Sequence, residues 1–139
     1  MANVQVSFAT YNMHGFRQGR ECLRDLCMKC DVVFVQEHWL APFDLCCLDE
    51  VCHDMICYSS SALTESIAKG CLRGRPFGGV AIFVKNTHAA DIKLVKATAR
   101  YIILMFNGTL LINVYLPCAS TQCRDDVFLD CLACIMNDI

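Results

Sequence analysis

Three side chains of this 139-residue sequence suit one chemical task although they stand far apart in the chain. Asn12, Glu37 and Tyr115 each end an apolar run: residues 10–16 read TYNMHGF, residues 33–40 read VFVQEHWL and residues 112–118 read INVYLPC. A carboxylate at the mouth of a buried strand is costly unless water, a partner or a cation meets it. Hard divalent cations take oxygen ligands, so Glu37 is a candidate ligand and the amide oxygen of Asn12 a second. The Asn12 amide also donates, which lets it orient Glu37, a water or a phosphate oxygen. The phenol of Tyr115 can donate to a phosphate oxygen as negative charge grows there. Amide, acid and phenol together point to cation-assisted chemistry on phosphate esters. Each has a plainer reading as well: a turn Asn, a solvated strand-end Glu, a packed strand Tyr.

Strands must aim these groups. Val4, Val6 and Phe8 alternate with Gln5 and Ser7, which predicts a half-buried strand running into Tyr11 and Asn12. Gly15 and Gly19 bracket a loop, and apolar residues at 22, 23, 26, 27 and 30 predict a helix over residues 20–29. Residues 32–35 are continuously apolar, as in a strand covered on both faces. Strand, helix and strand in that order imply a crossover joining a parallel pair. Further on, the pattern predicts a short helix near residues 45–51, a strand at 55–59 and a polar loop over 59–74. Strands follow at 80–84, entered through Gly78-Gly79 by a bend or close packing, and at 91–97. Asn107-Gly108 between residues 101–106 and 109–116 is a hairpin signal. Ser120 or Thr121 would cap a last helix, with Asp125 and Asp126 in its first turn and Phe128, Cys131, Leu132 and Ile135 as its apolar face.

The order and spacing of the three segments resemble the endonuclease/exonuclease/phosphatase superfamily. Within it, GRPFGGVAIFVK at residues 74–85 and INVYLP at residues 112–117 most resemble the endonuclease domain of non-LTR retrotransposons. The resemblance implies an α/β fold, a four-layer sandwich of mixed sheet with flanking helices, of which residues 1–139 are the N-terminal portion. It implies a site at the upper edge of two facing sheets, with Mg²⁺ or Mn²⁺ held by Glu37 and Asn12, Tyr115 and Asn12 as catalytic residues, and DNA phosphodiester cleavage as the reaction. The family's later motifs, Gly-Asp-(Phe/Leu)-Asn and Ser-Asp-His, do not occur in the sequence, and Cys118 stands where the family often has Asn. The isolated chain is therefore expected to be inactive; the alternative is a non-catalytic remnant that binds nucleic acid or a partner. None of His14, His38, His53 and His88 falls at a family catalytic position, and His38 is expected on the rim of the cleft.

Composition fits a single domain or part of one. Hydrophobic residues make up 55% and charged residues 19%, which is apolar for so short a chain. A half-sandwich would leave a sheet face uncovered and dissolve poorly. No apolar run approaches the roughly 18 residues that span a bilayer, and no secretory signal opens the chain. The expected location is intracellular, in cytoplasm or nucleus, with no membrane and no stable protein partner. The formal net charge of −2 hides an asymmetry: residues 37–65 hold six acids and no Lys or Arg, whereas residues 66–100 hold seven bases and one acid. That stretch offers Arg73, Arg75 and Lys85 as contacts to DNA phosphates, or else is only a solvated face. Of twelve cysteines, Cys27/Cys30 and Cys131/Cys134 form C-x-x-C pairs, but both lie in helical stretches far apart, against zinc and for reduced, buried thiols.

Overall fold

Apolar residues occupying both faces of one strand require cover on both sides, and the architecture follows from that demand. The computed structural model describes residues 5–68, 70, 77–116 and 122–139. In chain order the elements are β1 (Phe8–Asn12), α1 (Phe16–Lys29), β2 (Val32–Gln36), a 3₁₀ turn (Pro42–Asp44), α2 (Cys46–Asp49), β3 (Met55–Ser60) and α3 (Thr64–Ala68). Then come β4 (Val80–Lys85), a second 3₁₀ turn (Asn86–Asp91), β5 (Ile92–Ala97), β6 (Tyr101–Phe106), β7 (Thr109–Val114) and α4 (Gln122–Asp138). One sheet runs β1-β2-β4-β3 and the other β5-β6-β7.

Three cores separate four layers. On β2 and β4, Val33, Val35, Ala81 and Phe83 pack under Leu23 and Cys27 of α1 and Leu48 of α2. The opposite faces of the same strands, Val32, Ile82 and Val84, meet Ile102, Leu104 and Leu111 of the second sheet. Tyr101 and Ile103 turn the other way and receive Cys131 and Ile135 of α4. The result is the expected four-layer arrangement of helices, mixed sheet, antiparallel sheet and helix. Burial on this scale is what holds so short a chain together, since each large side chain fully removed from water contributes about 1.5–3 kcal/mol.

Strand β1 is parallel to β2 with Asn12 opposite Gln36, so Asn12 and Glu37 emerge at the same end. At the other end Asp31 is the pin. Its carboxylate accepts from the Ser7 amide at 2.8 Å, the Ser7 hydroxyl at 2.6 Å and Lys85 Nζ at 3.1 Å. The two Ser7 bonds, helped by Lys85 and only partly opposed by burial, hold this carboxyl well below the usual carboxylate range.

Several expectations need correcting. The alternation that predicted a buried Phe8 fails because β1 is an edge strand. Phe8 is half exposed, stacked on Phe34 at 6.4 Å, while Ala9 and Tyr11 take the inner positions. Gly19 lies not in a loop but inside α1, which begins at Phe16. The polar stretch after β3 contains α3, started by Ser61, whose hydroxyl accepts from Leu63 N and whose carbonyl accepts from Thr64. β7 stops at Val114, leaving Tyr115 just past the strand. On α4, Leu132 is not in the buried face. The caps Ser120 and Thr121 lie outside the described residues. Among the described residues, no helix is long and apolar enough to cross a membrane.

Candidate active site

The end of β2 is a crook rather than a continued strand. Glu37 has φ of 58° and Trp39 of 61°, both in the left-handed region that costs an L-residue about 1–2 kcal/mol. Such strain persists only where surrounding structure over-determines it, and it gathers at functional sites. The neighbouring backbone holds the crook on two sides. Glu37 N donates to Gly79 O at 2.9 Å and Trp39 N to Gly78 O at 3.0 Å, while Glu37 O accepts from Gly15 N at 2.8 Å.

His38, between the two strained residues, anchors the crook from beneath. It is wholly buried, its Nδ1 accepting from Leu40 N and its Nε2 bonded to Ser60 O, each at 3.0 Å. The first bond fixes the tautomer, so Nε2 carries the proton and donates. Burial lowers the pKa of this imidazole, only partly offset by its hydrogen bonds to the backbone of Ser60 and Val80. The ring lies against Gly79, where a Cβ would come within 2.3 Å of it, and Gly79 has φ of 89°. The Gly78-Gly79 pair thus serves close packing. His38 is not on the rim: it is a structural residue under the site.

Above this base stands the Glu37 carboxylate, with its side chain 14% exposed. Asn12 Nδ2 donates to Oε1 at 3.0 Å, and His14 Nδ1 lies 3.4 Å from Oε2. The Asn12 amide is turned by its other contact, in which His14 N donates to Oδ1 at 3.3 Å. Burial raises the Glu37 carboxyl, but hydrogen bonds from Asn12, Tyr115 and Trp39 and the charge of His14 together bring it below its ordinary value. Tyr115 is fixed by its backbone, whose N donates to Arg100 O at 2.8 Å. Asn12, Glu37 and Tyr115, 103 positions apart at the extremes, are therefore brought together at one rim of the sandwich. Asn12 meets Glu37 through its NH₂ group, so here it orients the acid.

The same is not true of the basic candidates. Lys85 sits at the opposite end of β4, paired with Asp31 at 3.1 Å. The six residues from Asp31 to Glu37 span roughly 20 Å at strand rise. Arg73 and Arg75 lie outside the described residues, as does Cys118. The two C-x-x-C pairs occupy different layers, Cys27 with Cys30 under α1 and Cys131 on α4, so they cannot form one metal site. Burial, then the neighbouring Cys52 and Cys30, pushes the Cys27 thiol up to about 12.

Sequence reasoning missed Asn113. It is buried on β7, where its Nδ2 donates to Val35 O and Ala81 O, both at 2.8 Å, and its Oδ1 accepts from Gln36 Nε2 at 2.6 Å. Val35 and Ala81 face each other in the β2–β4 ladder, so one amide ties the second sheet to the first directly behind Glu37. The signal was an Asn at an inward position of an apolar strand, where Asn is normally depleted. A cleft of about 340 Å³ opens beside this tie, lined by Thr10, Phe34, Gln36, Ile112, Asn113 and Val114.

No protein-family model and no curated protein matches the chain. Solved structures do. An AP endonuclease from Archaeoglobus fulgidus matches at 17% identity and TM-score 0.62, with 93% of this chain and 49% of that one covered. The AP endonuclease LMAP from Leishmania major matches at 14% and 0.63, covering 88% and 44%. The 3′ phosphatase NExo from Neisseria, bound to a product DNA hairpin, matches at 18% and 0.56, covering 81% and 42%. The likeness shows the fold: the chain has the α/β architecture of these nucleases and phosphatases and spans about half the length of the structures it matches.

Proposed function

We propose that residues 1–139 are the N-terminal portion of a divalent-cation-dependent phosphoesterase acting on DNA, of the kind found in the endonuclease domains of non-LTR retrotransposons. The observation that carries this reading is the assembly of Asn12, Glu37 and Tyr115 around one carboxylate on a strained strand end. The donor set fits Mg²⁺ or Mn²⁺. Mg²⁺ is usually held by one or two carboxylates and keeps several waters, with substrate phosphate supplying further oxygens. Glu37 is the residue that would hold it. Bound there, the cation would polarise the phosphoryl oxygen and offset charge on the leaving oxygen.

The chain's own groups set the stage for that chemistry. Asn12 fixes the Glu37 carboxylate and so decides where the ligand oxygen stands. Tyr115, on the same carboxylate, is within reach of a phosphate oxygen bound beside it and stabilises charge developing there. Arg73 and Arg75 are the proposed contacts to backbone phosphates, giving binding that weakens with salt. Lys85 is withdrawn from that role because it is committed to Asp31. The proposed location is intracellular, in cytoplasm or nucleus.

One observation favours a second reading for the isolated chain. Among the described residues, no group of three or more His, Cys, Asp or Glu is placed to hold a metal ion. Catalytic groups that act as a unit lose most of the rate when some are missing. Alone, these 139 residues then bind DNA or a partner and cleave little or nothing. Incubation with supercoiled plasmid and Mg²⁺ decides between the readings. Relaxed circles that vanish in Glu37→Ala establish cleavage by this chain. Salt-sensitive retardation of DNA without relaxed circles establishes the binding remnant. Neither binding nor nicking contradicts both.

A further inference from the structure

We propose that the outer edge of β7 takes up an extended polypeptide segment, apolar at every second residue, as a fourth strand of the second sheet. The two edges of that sheet are built differently. β5 carries Lys93 and Lys96, and its pairing with β6 shifts between Leu94 and Lys96. Charge and irregular register are means by which an edge strand escapes pairing. β7 reads TLLINV, without a charge or a proline, and its register with β6 is unbroken from Thr109 to Val114. The bond from Tyr115 N to Arg100 O sets the phase of this ladder. Hydrogen-bonded pairs alternate along an antiparallel ladder, so the N–H and C=O groups of Leu110, Ile112 and Val114 point outward. Among the described residues no strand receives them.

The space beside that edge is roofed. Asn113 ties β7 beneath β2 and β4, while β5 and β6 lie beneath β3. β1, on the far side of β2, therefore projects past β7 by at least about 4.8 Å, the spacing of one strand. Phe8 and Thr10 stand opposite Val32 and Phe34 and share their face toward the second sheet. Among the described residues no strand lies beneath β1, and Phe8 is half exposed. The cleft of about 340 Å³ bounded by Thr10, Phe34, Gln36, Ile112, Asn113 and Val114 is the channel between roof and edge. An outward row of alternating donors and acceptors complements another extended backbone, and alternate side chains select its sequence. The roof excludes a second copy of the chain. Two β7 strands paired about a two-fold axis would place that axis about 2.4 Å beyond each, and the two β1 strands would overlap there. The occupant is thus a bare strand, whose apolar side covers Phe8 and Phe34.

Amide hydrogen exchange, followed by NMR in the full 139-residue chain, tests the site directly. The probe is a synthetic peptide of alternating Val and Thr with Lys at each end. In the chain alone, the amides of Leu110, Ile112 and Val114 are expected to exchange rapidly and those of Leu111 and Asn113 slowly. The peptide is expected to slow the first three at least about tenfold, and a version with Pro in place of each Thr to slow none. Ile112→Pro removes one outward N–H and leaves the ladder to β6 its donors. It is expected to weaken peptide binding at least about tenfold, whereas Ile112→Val, which keeps that N–H, binds as the wild type does. Outward amides that the alternating peptide leaves unslowed overturn the proposal. So does a folded Ile112→Pro chain that binds the peptide as tightly as the wild type; if that variant does not fold, the exchange result alone decides. Protection of these amides in the dilute chain alone means that the chain covers its own edge, and protection that rises with chain concentration assigns the edge to a second copy. Either result also overturns it.

Discussion

Glu37 is where sequence and conformation disagree most usefully. A residue of this type prefers not to adopt φ of 58°, and Gly adopts it freely. Glu37→Gly is therefore expected to be more stable than Glu37→Ala by about 1 kcal/mol, read from urea midpoints, although both lose the carboxylate. Equal stabilities would mean the crook is unstrained. His38 sets a pH limit. Its folded pKa is depressed by burial, so between that value and the unfolded value near 6.5 the unfolded chain binds the extra proton. Stability is then complete above about 6.5 and falls as pH drops below it, with a slope that Glu→Gln changes elsewhere do not touch. His38→Gln is expected to flatten the curve between pH 7 and 5 while lowering stability overall; denaturant unfolding across that range checks it. The acid and the amide were legible as polar groups closing apolar runs. The burial of His38 was not, because its partners Ser60 and Gly79 lie more than 20 residues away and only the folded sheet brings them near.

Between elements, the tie from β7 to the β2–β4 ladder decides whether the site keeps its shape. Asn113→Ala removes two hydrogen bonds to carbonyls and the one accepted from Gln36, whose amide keeps only Thr10, at an expected cost of about 1–3 kcal/mol. Because Gln36 directly precedes Glu37, the same variant should weaken cation binding more than an equally destabilising core change such as Ile103→Val. Equal affinities in the two variants would make Asn113 purely structural. The strands themselves were readable: a continuous apolar run gave β2, and Asn-Gly gave the β6–β7 turn. Edge effects were not readable. Phe8 follows the alternation of an inner strand yet lies half exposed, since nothing in a local pattern tells an edge from a centre. The helix α3 was hidden by polar composition, its start set by hydrogen bonds at Ser61 rather than by periodicity.

Taken whole, the fold carries apolar surface it does not cover. Phe8, Leu129, Leu132, Met136 and Ile139 are exposed, and the last four gather on or beyond the outer face of α4. Contiguous apolar patches of this kind promote association. The chain is expected to elute as concentration-dependent oligomers in size-exclusion chromatography with light scattering, and Leu129→Glu with Met136→Glu should shift it toward monomer. A monodisperse wild-type monomer would contradict that. The four-layer plan was legible through resemblance, because strand order and the three polar strand ends are local signals. The place of Lys85 was not: charge counted along the chain puts it in a basic stretch, whereas the antiparallel run of β4 carries it to the Asp31 end of the sheet, away from Glu37. The central proposal is that three distant residues form one cation-holding rim. The most direct check is a crystal of the chain soaked with Mn²⁺ and recorded near the manganese edge. The account predicts an anomalous peak on the Glu37 carboxylate, with the Asn12 amide and the Tyr115 hydroxyl beside it. A peak elsewhere, or these three groups separated across the molecule, would contradict it.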